Sequence, residues 1–242
     1  MITVDNIDVW GFDYAIRGMR NPMNSWDKID SHYCDSHYYC TEVSEDNSTH
    51  KNCKQFKYCS HVMCIDYYVG KNDLGLMKRL YKAGTEHRKY LRQIFVSMDI
   101  TAPLYWWKEM DTYKTGTVSN SCSTMHKIHE NFFDVDDFSC EHLQEFWNSP
   151  DSEYREALKT TIRALNNARE KYIKTHDKKY WWYMIQLLPT SYNQKRTITM
   201  NYENVVTIIK QRTGHKLDEW NDFVEVLKDL PYIKEITNAD SD

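Results

Sequence analysis

Residues 149–172 carry the pattern that most limits how this chain can fold: Ser149-Pro150-Asp151, then Leu158, Ile162, Leu165, Ala168 and Tyr172. Serine as a cap, proline in the first turn, and Asp151 and Glu153 at the positive end of the dipole together predict a helix start. The apolar residues recur three and four apart, so they share one face over roughly six turns. Such a stripe is core, and it carries no chemistry of its own. At 242 residues the chain can bury one substantial core, and nothing in it forces two. We read a single domain over 1–242, mixed and helix-rich.

Around that helix the other elements are read in order. Val4, Ile7, Val9 and Phe12 alternate with polar residues and suit a first strand, Val4 to Phe12. Gly18, Asn21, Pro22 and Asn24 then punctuate Ala15 to Ser31, a turn or loop after a short helix. Asp73 can cap a helix whose Leu74, Met77, Leu80 and Tyr81 follow helical spacing, with Gly84 as its stop. His87 to about Val96 reads as a second helical segment. Further on, Lys195 to Thr199 is a short strand or extended connector. Val205, Ile208, Ile209 and Arg212 mark one helix stopping at Gly214, and Leu217 to Leu227 a last one, before an acidic tail that is expected to fray.

Charge and cysteine content exclude several classes of function. Thirty-one Lys+Arg against 35 Asp+Glu leave a net charge of -4, so no global basic field recruits a DNA or RNA polymer or an anionic membrane. No run approaches eighteen apolar residues, and the N-terminus lacks a basic segment followed by an apolar one; the protein reads as soluble, unexported and cytoplasmic. Seven Cys is an odd number, which suits free thiols better than a disulfide framework.

Five of those Cys (34, 40, 53, 59, 64) and four His (32, 37, 50, 61) crowd into residues 32–64. Thiolates and imidazoles are zinc ligands, yet the gaps between the Cys hold five, twelve, five and four residues rather than the two of a compact site. An inserted loop with incidental thiols is the stronger reading, and no metal is assigned. Arg17 and Arg20, three apart, are candidates for an anion clamp or for ordinary ion pairs. Cys122 with His126 could form a nucleophile and base, and Glu109 with Asp111 an acid/base pair, although a buried thiol and solvated charges account for both.

The segment Thr101 to His126, TAPLYWWKEMDTYKTGTVSNSCSTMH, sets large rings before a run of hydroxyls and amides, as the wall of a polar ligand pocket requires. With two further segments it resembles the flavin-dependent thymidylate synthase family, whose signature is R-H-R, seven residues, then Ser, within S-x-N-x-x-S-x-R-Y. Asn120 and Ser123 keep the Asn and second Ser, Tyr113-Lys114-Thr115 falls on the triplet, and Val118, Met125 and His126 replace the first Ser, the Arg and the Tyr. An upstream Glu-His pair of the family falls on Arg92-Gln93. Downstream, Leu188-Pro189 and then Thr199, Asn201 and Arg212 match the family's Leu-Pro and T-x-N-x-R-x-x-x-N-x-x-x-x-R helix, with Glu203 for its Arg and Thr207 for its second Asn. Residues 70–230 are covered in this way, and 32–64 reads as an insertion.

The resemblance implies an α/β (α+β) domain, helices on an antiparallel sheet, assembled as a homotetramer with sites between subunits. It implies FAD as cofactor, though the sequence fixes none, because the cationic triplet that holds the flavin has become Tyr113, Lys114 and Thr115. Losing several charge-assisted contacts, at about 1.5 to 3 kcal/mol each, argues against ordinary flavin chemistry. What is retained fits a nucleotide: Arg212 for its phosphate, Asn120, Ser123 and Asn201 lining it, Lys114 supplying charge, Tyr113, Gln93 and Arg92 near it, and Trp106 or Trp107 stacking on the base. The expectation is a nucleotide-binding protein, such as a phage or bacterial one that modifies or sequesters an unusual nucleotide. The alternative is a flavin-dependent synthase or nucleotide-modifying methyltransferase with a rearranged cofactor site. A zinc-stabilised interaction protein centred on 32–64 is a third class.

Overall fold

The computed structural model describes residues 2–33, 67–144 and 152–237. Among the described residues six strands are seen: β1 (Thr3–Trp10), β2 (His32–Tyr33), β3 (Tyr67–Tyr68), β4 (Phe95–Pro103), β5 (Thr117–Ser121) and β6 (Asn193–Asn201). Four of them form an antiparallel sheet in the order β1-β4-β6-β5, while β2 and β3 pair antiparallel on their own. Helices were expected on an antiparallel sheet, and that is the architecture found.

The chain divides into two compact units. The first comprises Val4–Asp99, Tyr113–Val118 and Ile198–Asp242. Its helices are α1 (Phe12–Arg20), α2 (Lys71–Lys82), and, introduced here ahead of those between, the pair Tyr202–Arg212 and Asp218–Lys228, followed by the short Ile233–Thr237. Phe12, Ile16, Met77, Leu91, Tyr202, Trp220 and Phe223 are almost wholly buried, with Tyr202 and Tyr232 packing edge-on against Phe12. The Tyr202 hydroxyl donates to the Pro231 carbonyl, so even this large buried ring leaves its polar end satisfied.

In the second unit (Met1–Thr3, Ile100–Thr112 and Ser119–Thr197) lie α3 (Leu104–Met110), α4 (Thr124–Lys127), α5 (Glu141–Gln144), α6 (Ser152–Thr175) and α7 (Lys178–Leu187). The three helices named above complete the count as α8 (Tyr202–Arg212), α9 (Asp218–Lys228) and α10 (Ile233–Thr237). The predicted stripe of α6 is core: Leu165 and Ala168 are buried with Ile128, Phe133, Phe138 and Met184, and Leu158, Ile162 and Tyr172 pack at the margin. Asn166 on the same helix bridges both backbone groups of Phe133, donating to its carbonyl and accepting from its N–H at 2.9 Å each.

Two local expectations are corrected. Residues 87–96 form no α-helix: a 3-10 turn spans Lys89–Gln93 and β4 follows, because Val96, Met98, Ile100 and Ala102 are buried at every second position. Asp73 does not cap α2. Its carboxylate is fully buried and takes Arg20 Nε and Nη2 at 2.9 and 2.7 Å on one oxygen, and Ser31 Oγ at 2.6 Å on the other. Asp30, from a distant segment, takes over the cap, accepting from the N–H groups of Asn72 and Asp73 at 2.8 and 3.0 Å. Arg20 is thereby a structural cation and no anion clamp with Arg17. The proposed helix start at 149–151, the Cys/His-rich stretch beyond Tyr33 and the acidic tail lie outside the described residues.

Candidate functional site

The signature segment and α8, far apart in sequence, meet in the first unit. The Tyr113 hydroxyl donates to Gln211 Oε1 and accepts from Arg212 Nε, both at 2.9 Å. The Arg212 guanidinium carbon sits 4.4 Å from the Trp220 ring centroid and 5.5 Å from that of Tyr113, and Nη1 is 3.1 Å from His215 Nε2. Aromatic faces and a phenol thus fix the plane of the guanidinium, which is how an arginine is preorganised for a planar or phosphoryl acceptor. Trp220 and His215 were not recognised from the sequence; the apolar spacing of α9 marked Trp220 only as core.

Asn201 caps α8, its Oδ1 accepting from the Asn204 N–H at 3.1 Å. Asn204 in turn donates from Nδ2 to the Thr115 carbonyl and to Thr117 Oγ1, at 2.7 and 2.8 Å. Between them Gly116 has φ of 72°, and a Cβ there would stand 2.7 Å from the Asn201 amide nitrogen. Only glycine meets both demands. Lys114 is exposed beside this junction in sequence. Asn120, exposed on β5, and Ser123, whose Oγ caps α4 by accepting from the His126 N–H, belong to the other unit.

Glu203, the residue that stands for a family arginine, is gripped by Arg88: Nε reaches its two oxygens at 3.2 and 3.1 Å and Nη2 reaches one at 2.7 Å. The Arg88 guanidinium also covers the Tyr81 ring at 5.2 Å. The carboxylate at this position therefore carries its own countercharge.

A cleft of about 780 Å³ opens in the same unit between α1, the turns after it, α2 and the 3-10 turn. Gln93, at the family's histidine position, lines it and packs so close to Gly18 that a Cβ on Gly18 would stand 2.5 Å from Gln93 Oε1. Its neighbour Arg92 is exposed and does not line the cleft. Lys28, Arg79, His87 and Lys89 line it against one lining carboxylate, Glu86. Tyr90 closes the floor; burial pushes its phenol pKa up, and the hydroxyl donates to the Met77 carbonyl at 2.9 Å. Lys28, Arg79 and Lys89, for which no ion pair is seen among the described residues, favour an anionic ligand on this concave surface.

Other readings are corrected. Trp106 and Trp107 are 0 % and 1 % exposed and pack edge to face, so neither offers a ring to a base. Trp107 donates from Nε1 to the Gln194 carbonyl, and the Arg196 guanidinium covers its ring at 4.3 Å. Asp111 is paired with Arg196 at 2.8 Å, which removes it as a free acid or base beside Glu109. The Cys122 thiol is exposed rather than buried, and no hydrogen bond joins it to His126. Among the described residues no group of three or more His, Cys, Asp or Glu could hold a metal ion, and no helix is long and apolar enough to cross a membrane.

No protein-family model and no curated protein matches the sequence. Solved structures do. A crystal structure of thymidylate synthase X from Helicobacter pylori with FAD and dUMP superposes with a TM-score of 0.61 at 16 % identity, covering 100 % of both chains. A second, of the flavin-dependent thymidylate synthase of that organism complexed with FAD and dUMP, gives 0.60 and 16 % over 98 % of each chain. The fold of this chain is that of the flavin-dependent thymidylate synthases.

Proposed function

We propose that this protein binds a nucleotide on a flavin-dependent thymidylate synthase-like scaffold, and modifies or sequesters it without ordinary thymidylate synthase activity. The observation that carries this reading is the end-to-end likeness to structures holding FAD and dUMP. Two internal features support it. The aligned segments 113–117 and 201–212 come together around Arg212, and the cleft beside Gln93 is lined by cations. Arg212 meets the phosphate, with Tyr113 and Asn201 shaping its surroundings and Lys114, in the same unit, contributing a polar contact. Arg92, exposed and outside the cleft lining, takes a lesser part.

The residues in place of the cationic triplet do not fit a flavin. Of Tyr113, Lys114 and Thr115 a single one is cationic, and the Tyr113 hydroxyl is engaged by Gln211 and Arg212. A second reading, a nucleotide-modifying enzyme with a rearranged cofactor site, gains from the Arg88–Glu203 pair, which neutralises the one carboxylate placed against that chemistry. In either reading the chain works as one domain over 1–242 with an insertion at about 32–64, cytoplasmic and homo-oligomeric. Exposed Trp182, Tyr183 and Leu187 on α7 are apolar surface that an assembly would cover.

Thermal melting with dUMP and other pyrimidine nucleotides tests the binding. A ligand of the folded state raises the midpoint. Arg212→Ala and the gentler Tyr113→Phe should both weaken binding; a nucleotide affinity unchanged in both variants would sink the assignment. Visible absorption separates the readings, because a purified protein with flavin bands belongs to the enzyme.

A further inference from the structure

A second cleft, of about 580 Å³, lies wholly within the other unit, where α4 and the turn after it meet the end of α6 and the start of α7. Its lining holds three imidazoles, those of His126, His129 and His176, with the Lys178 ammonium and the rings of Tyr172 and Trp181, and no carboxylate. Tyr172 is flanked edge-on by His129 at 5.0 Å and by His176 at 6.2 Å. The walls are fixed from behind. Trp181 donates from Nε1 to the Met125 carbonyl at 2.9 Å, and Arg169 donates to the carbonyls of His129 and Glu130.

Two features here have no structural partner among the described residues. His129 Nδ1 is buried without a hydrogen-bond partner, a situation that folded proteins rarely leave to chance. Lys178 makes no ion pair, whereas the adjacent Lys179 is held by Asp177 and Lys127 by Glu130. The carboxylates near the rim are therefore already committed, and the cleft faces solvent with one uncompensated cation, imidazole donors and aromatic walls.

We propose that this cleft is a binding site for a small aromatic anion, a planar ring bearing a carboxylate or phosphate. The ring lies against Trp181 and Tyr172, and the anionic group meets Lys178 and an imidazole N–H. The site shares no residue with the cationic cleft beside Gln93 or with the Arg212 cluster.

Isothermal titration calorimetry of the full chain with four probes tests it. Benzoate and phenyl phosphate should bind, the tighter of the two identifying the anion. Cyclohexanecarboxylate, which keeps the charge without a planar ring, and benzyl alcohol, which keeps the ring without the charge, should each be weaker by about tenfold or more. Lys178→Gln, a change at an exposed side chain, and Trp181→Leu should each weaken benzoate by about tenfold, while Arg212→Ala leaves it unchanged. Equal binding of benzoate and cyclohexanecarboxylate, or unaltered affinity in Lys178→Gln, would overturn the proposal. Saturable zinc chloride binding that excludes benzoate would overturn it in favour of a metal.

Discussion

Arg88 and Glu203, 115 positions apart, form a forked ion pair in which both carboxylate oxygens are engaged and neither side chain is more than a fifth exposed. Removing the cation strands a half-buried carboxylate at the head of α8. Arg88→Ala should cost about 1 to 3 kcal/mol, and Glu203→Gln on that background should recover part of the loss. Urea unfolding of the two single variants and the double variant checks this. Additive losses would mean that the pair contributes nothing as a pair.

The buried Arg20–Asp73 pair should be less forgiving. Asp73→Asn keeps the shape but leaves Arg20, 5 % exposed, without its countercharge. A loss of about 3 to 5 kcal/mol is expected, read as a lowered urea midpoint with an unchanged slope.

Asp30 ties stability to acid. Burial raises its pKa, but the N–H groups of Asn72 and Asp73 outweigh that and hold it below the ordinary 3.8. A depressed carboxyl stabilises the fold above its unfolded-state value, and that contribution is lost as the pH falls through the folded-state value. The gap in urea midpoint between wild type and Asp30→Asn should therefore be full at pH 6 and shrink below about pH 4. A gap that is constant with pH would show that the capping charge is irrelevant.

Trp107 separates packing from recognition. Trp107→Phe loses the Nε1 bond to Gln194 and part of the surface under Arg196, so stability should fall by about 1 to 3 kcal/mol. Nucleotide affinity of the folded variant should not change, as titration calorimetry would show.

The parts of this fold legible in the sequence were those written in local periodicity. The stripe of α6 and the apolar spacing of α8 and α9 each needed only neighbours within a few turns. What escaped was decided by partners far along the chain. Asp73 has the position of a cap, yet Arg20 claims its carboxylate and Asp30 supplies the cap instead. Trp106 and Trp107 beside a polar run look like a stacking platform, but whether an indole faces solvent or core depends on what lies across from it, here Gln194 and Arg196. For Glu203, no spacing rule points to Arg88, its partner 115 positions away.

The ribbon of β2 and β3 pairs His32 with Tyr68 and Tyr33 with Tyr67, the first pair of rings tilted and the second edge to face across the strands. Tyr33 and Tyr67, 34 positions apart in the chain, are thereby held as direct cross-strand partners, so the ribbon fixes the two ends of the intervening sequence side by side.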